Sequence, residues 1–105
     1  MSQIAKTPSP PYYAVIFSSE RTDVDEGYGD IAEKVMALAA RQPGFLGVES
    51  AHNELGITVS YWEDLASIAR WKANAEHTQA QRLGIEKWYA AFKTRIAKVE
   101  RDYGI

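Results

Sequence analysis

Two strand-like runs, Phe45 to His52 and Ile57 to Trp62, are joined only by Asn53-Glu54-Leu55-Gly56. So short a connection ending in glycine dictates an antiparallel hairpin. In the second run Ile57, Val59 and Tyr61 take one face, while Thr58, Ser60 and Trp62 take the other. What flanks the hairpin then decides the fold. Upstream, Tyr12 to Ser18 is aromatic and β-branched and predicts a strand, and the polar stretch Ser19 to Gly29 predicts a loop. Asp30 and Glu33 read as a capping box for a helix with one face made of Ile31, Val35, Leu38, Ala39 and Gln42. Pro43-Gly44 ends that helix. Downstream, Glu63-Asp64 puts acidic residues at the start of a second helix, whose inner face is Leu65, Ile68 and Trp71. A break near Asn74 leads to a second helical piece, Glu76 to Leu83, stopped by Gly84. Trp88 to Val99, with Phe92, Thr94 and Ile96 alternating, predicts the last strand.

The order strand, helix, strand, strand, helix, strand predicts an α+β fold. It is a ferredoxin-like βαββαβ sandwich with an antiparallel sheet. At 105 residues the chain suits one domain, placed at 12–105 behind an extended segment, 1–11. Ser9-Pro10-Pro11 supports that extended entry, because proline withholds an amide donor and biases its predecessor away from helix. Two helices cover one face of the sheet, and no further element remains for the other. Strands this aromatic would leave a large exposed patch there. A homodimer with the two sheets face to face, a dimeric α+β barrel, is therefore expected.

Charge and composition exclude several function classes. Twelve Lys/Arg against fourteen Asp/Glu leave a net charge of -2, so no basic footprint for nucleic acid or an anionic membrane surface is expected. Zero cysteines remove thiolate nucleophiles, disulfides and Cys-ligated metals. No stretch approaches the roughly 18–20 apolar residues of a membrane span. Met1 to Pro11 lacks the apolar core of a secretory signal, and a cytoplasmic location is the expectation. His52 and His77 have no carboxylate or second imidazole at a ligand spacing, so no metal site is expected. Ser18-Ser19 lacks the context of a nucleophile elbow. Gly27-Tyr28-Gly29 lacks the lysine and spacing of a phosphate cradle. Asp23/Asp25 and Glu63/Asp64 read as a loop and a helix start.

Pro43-Gly44-Phe45-Leu46-Gly47-Val48-Glu49 after a helix, then Ser60-Tyr61-Trp62-Glu63-Asp64 and Ile68-Ala69-Arg70-Trp71, form a recognisable combination. It resembles the antibiotic biosynthesis monooxygenase superfamily, the dimeric α+β barrels. Trp71-Lys72-Ala73-Asn74-Ala75-Glu76-His77, followed by Gly84 and Trp88-Tyr89, looks most like a bacterial subgroup of small proteins within it. The resemblance runs from about Tyr13 to Glu100.

That resemblance implies a pocket between helices and sheet. Cofactor-independent members oxidise electron-rich phenols such as anthrones: they bind a flat aromatic, help remove its phenolic proton and stabilise the anion while oxygen reacts. Here Trp71, Trp88 and Phe17 would supply the walls. His77 would accept the proton, since imidazole titrates near neutrality, and Arg70 or Ser18 would hold an anion. No cofactor is then required. Haem-degrading members, the lesser alternative, use a strand asparagine, a tryptophan of the second helix and a histidine ten residues beyond it. Trp71 matches the tryptophan, but Gln81 stands in the pocket position of the histidine, and no asparagine precedes Asn53. A ligand-binding protein without activity is a further alternative on the same fold. Plainer structural roles also exist: core packing for Trp71, a local hydrogen bond for His77, and a solvated strand end for His52.

Overall fold

The computed structural model describes residues 2–76 and 87–105. In chain order the elements are β1 (Tyr12–Arg21), α1 (Tyr28–Ala40), β2 (Phe45–His52), β3 (Gly56–Trp62), α2 (Leu65–Glu76) and β4 (Tyr89–Val99). The four strands form one sheet in the order β2-β3-β1-β4, with every neighbouring pair antiparallel. The two central strands are β1, which precedes α1, and β3, the second strand of the hairpin. This is the ferredoxin-like arrangement expected from the element order.

Register assigns the faces. Tyr13 pairs with Trp62, Val15 with Ser60 and Phe17 with Thr58, so these residues share one side. That side carries the helices. Trp62 is fully buried there, between Phe45, edge-on at 5.4 Å, and Trp71 of α2. Tyr12, Ala14, Ile16, Val59, Ile57 and Tyr61 belong to the opposite side.

Several local features differ from the pattern in the sequence. β1 runs three residues beyond Ser18, because β4 pairs with it through Arg21. α1 starts at Tyr28 behind Gly27, whose φ of 81° makes the turn, and no side chain caps it. The Asp30–Glu33 capping box does not form, since Asp30 already lies inside the first turn. α2 continues through Asn74 without the expected break. Its start does follow the acidic signal: Asp64 Oδ1 accepts the Ser67 amide at 2.7 Å. The Ser67 hydroxyl, and after it this amide contact, hold the Asp64 carboxyl below its ordinary pKa. The inner face of α2 is Ser67, Ile68 and Trp71, while Leu65 is 53% exposed at the edge. The helical piece expected at 76–83 and its Gly84 stop fall, beyond Glu76, outside the described residues.

The open side of the sheet is also not quite as expected. Most strand aromatics (Trp62, Phe45, Phe17, Phe92) lie on the helix side, because alternation put them there. Tyr12 and Tyr61 are on the open side, and the chain termini pack against them. What stays uncovered is Ile16, Val59 and Ile57, the last 39% exposed, with the exposed Lys93 and Arg95 of β4 on the same side.

Candidate functional site

Two places concentrate polar chemistry. The first is a cleft of about 430 Å³ on the open side of the sheet, bounded by residues 4–7, Tyr12, Glu49, Tyr61 and residues 102–104. Glu49 accepts the Ala5 amide at 2.9 Å and the Tyr61 hydroxyl at 2.5 Å. Tyr12 accepts from Thr7 and donates to Asp102. Burial, with the Glu49 contact behind it, pushes Tyr61 up to about 12, and the bond to Asp102 raises Tyr12. Both carboxylates therefore serve to fasten the termini to the sheet.

The second place is the helix side of β1 and β4. Phe17 meets Tyr89 edge-on and Phe92 at a tilt, both at 5.5 Å, and Tyr89 meets Phe92 at 6.2 Å. Strict alternation from Phe92 would send Tyr89 to the open side. A bulge intervenes: Glu20 pairs with Ala91 but Arg21 pairs with Tyr89, so Ala90 is the extra residue. The bulge turns Tyr89 back onto the face of Phe92. Phe92 is 46% exposed and Ile96 is 54% exposed, so the wall of rings is open to a ligand.

Tyr28, the first residue of α1, closes one end of this wall. Its ring meets those of Trp88 and Tyr89 edge-on at 5.7 and 5.9 Å. The Tyr89 hydroxyl donates to the Tyr28 hydroxyl at 3.2 Å, and Arg21 lies 3.3 Å above the Tyr28 ring. Burial, then the bond to Tyr28, raises the Tyr89 pKa well above the ordinary phenol value. Arg21 is fixed by the Trp88 carbonyl, the Val24 carbonyl and Asp25. At the other end stands the Trp62–Trp71 stack. Trp62 pairs with Tyr13, four residues along β1 from Phe17, or about 13 Å at the rise of a strand. Val15, Ser60 and Ile96 share the face between.

The expected site residues separate on this geometry. Phe17 and Trp71 lie on one face, as wall residues should. Trp88 is buried, donating Nε1–H to the Glu26 carbonyl at 3.0 Å; it anchors the loop before α1 and supports Tyr28. Ser18 faces the opposite side of the sheet, because neighbouring strand residues alternate. Arg70 is exposed and donates to Ser67 Oγ at 3.1 Å, one helical step (about 100°) round from Trp71. His77 and Gln81 lie outside the described residues. Tyr28, Tyr89, Phe92 and Arg21 were missed. Phe92 was readable by alternation, whereas the other three are united by a bulge and a loop. Among the described residues, no three His, Asp or Glu side chains converge as a metal site would require, and no helix is long and apolar enough to cross a membrane.

Fold and site together define a ferredoxin-like α+β protein with an aromatic wall on the helix side of its sheet. The chain belongs to the antibiotic biosynthesis monooxygenase family, whose model matches residues 11–83. It is 50% identical over 104 residues to the uncharacterized protein YqjZ of Bacillus subtilis, covering 97% of this chain and 91% of that one. Among solved structures it resembles a mutant of SnoaB, a cofactor-independent oxygenase from Streptomyces nogalater. The TM-score is 0.69 at 14% identity, over 87% of this chain and 95% of that one. PA3566 from Pseudomonas aeruginosa matches with a TM-score of 0.63 at 18% identity, over 91% and 99% of the two chains. At these identities the structural likeness is one of fold.

Proposed function

We propose that the aromatic wall binds a flat phenolic or quinol-type small molecule, and that the chain oxidises it with O2 without a cofactor. The observation that carries this reading is the Phe17–Tyr89–Phe92 cluster with Phe92 half open to solvent. An aromatic face left uncovered on the helix side of the sheet is suited to a ring system rather than to water. Family membership supports the reaction type. For an anthrone the balance is simple. Loss of the phenolic proton makes the ring electron-rich, the methylene carbon is oxidised to a carbonyl, and O2 is reduced. One oxygen atom enters the quinone, and the other leaves as water with the two methylene hydrogens. The candidate proton acceptor is His77, as the family resemblance implies, since an unperturbed imidazole titrates near neutrality.

Oxygen uptake with a panel of anthrones and hydroquinones tests the reading. Anthrones should consume one O2 per quinone formed, and Phe92→Asp should abolish the reaction in folded protein. Binding without oxygen uptake would overturn the enzyme and leave a ligand-binding protein of the same fold.

We also propose that a second copy of the chain covers the open side of the sheet. Ile16, Val59 and Ile57 form its centre, next to the cleft held by the termini.

A further inference from the structure

We infer that Tyr28, backed by the Tyr89 hydroxyl, is the polar end of the aromatic wall and hydrogen-bonds the oxygen of the bound phenolic ligand as it ionises. This deepens the proposed function and rests on it. The Phe17 and Phe92 rings are apolar, so a ring lying against them would set its polar edge towards the Tyr28 and Tyr89 hydroxyls. Tyr89 donates to Tyr28, and a hydroxyl that accepts still has its own proton to give. The pair can therefore donate onward to a ligand oxygen through Tyr28. A donor placed where negative charge develops stabilises that charge most when little reorganisation is needed. Here the geometry is fixed beforehand. Tyr89 is set by the bulge at Ala90, and Tyr28 is gripped between the Trp88 edge and the Arg21 guanidinium.

The charged groups around this end fit the same role. Arg21 lies over the Tyr28 ring at 3.3 Å and holds it in place by a cation–π contact. Asp25 holds Arg21 from its exposed side at 3.0 Å, and Lys87 sits 5.9 Å over the Trp88 ring. Tyr89 stays protonated well above neutrality, since its burial opposes ionisation. It is a donor, not a base. Tyr13, Ser19, Thr58, Ser60 and Thr94 also carry hydroxyls on this side of the sheet. Ser60 already accepts the Trp62 indole N–H at 2.9 Å. Thr94 pairs with Phe17 in the sheet and is the natural control.

Naphthol and naphthalene, which differ by one hydroxyl, test the inference by binding titration and by the absorption of the bound naphtholate. The wild-type chain should bind naphthol about tenfold or more tightly than naphthalene, and bound naphthol should ionise at lower pH than free naphthol. Tyr28→Phe and Tyr89→Phe should each bring the affinity ratio towards one and return the ionisation to its free value, leaving naphthalene binding unchanged. Thr94→Val should alter neither. Thermal melts identify folded variants, and Tyr28→Phe carries the test if Tyr89→Phe unfolds. If naphthalene binds but both phenylalanine variants keep the wild-type preference, the aromatic wall stands and this inference falls. If the wild-type chain binds neither compound, the proposed function falls and takes the inference with it.

Discussion

Trp71 lies nearly parallel to Trp62, ring centroids 6.1 Å apart and planes 22° from each other, so α2 is tied to β3 by a tryptophan stack. The two rings differ in burial. Trp62 is wholly enclosed, whereas Trp71 keeps part of its surface in water.

That difference sets the first expectation. Trp62→Ala should cost roughly 3–5 kcal/mol, the usual loss for a buried aromatic. Trp71→Ala loses one stacked partner, worth about 0.5–1.5 kcal/mol beyond its area, and should cost clearly less. Urea unfolding of both variants measures the contrast, and equal losses would contradict the stack as described.

Gly44 has a φ of 87°, and a Cβ built there would stand 2.6 Å from Ser67 Cβ. Gly44→Ala should therefore cost more than the about 1–2 kcal/mol of left-handed strain alone. Ser67→Gly in the same chain should recover the steric part and leave the strain. No recovery in the double variant would mean that the β2 entry does not press on α2.

The tyrosines give a pH dependence. Tyr61 is raised from 10.0 to about 12 in the folded chain, so folding favours its protonated form. Its contribution is complete below about pH 10, the unfolded value, and is lost as pH rises from there through 12. Tyr12 and Tyr89 shift in the same direction. Of the six tyrosines, these three should ionise late in a phenolate absorbance titration of the folded protein. Stability to urea should fall across the same window, and a titration with all six near 10 would refute the burial and bonding assigned to them.

Light scattering tests the proposed assembly. The particle should have about twice the 11.8 kDa chain mass. Ile57→Lys, on the open side of the sheet, should yield a folded monomer, because an unpaired charge buried at an interface is strongly unfavourable. A wild-type chain that stays monomeric at micromolar concentration would remove the second copy from that face.

The sequence by itself determined the element order, the hairpin and the helix boundaries at Pro43-Gly44 and Asp64. These depend on local chemistry: period, turn residues and caps. It also placed Trp71 on the inner face of α2, because one helical face is enough for that, while Phe17 entered as a wall residue only through the family resemblance. Tertiary structure decided the rest. Tyr89 joins Phe92 only through a bulge that appears when β4 pairs with β1. Arg21 replaces Arg70 as the cation beside the rings because the 22–27 loop folds back on it. Ser18 drops out because its neighbour Phe17 points to the helix side and alternation allows only one of them there. The termini close on Glu49 and Asp102 across the sheet, a contact spanning 44 residues for Ala5 and Glu49 and 90 for Tyr12 and Asp102. Pairings at such separations follow from how the whole chain packs, and no local pattern encodes them.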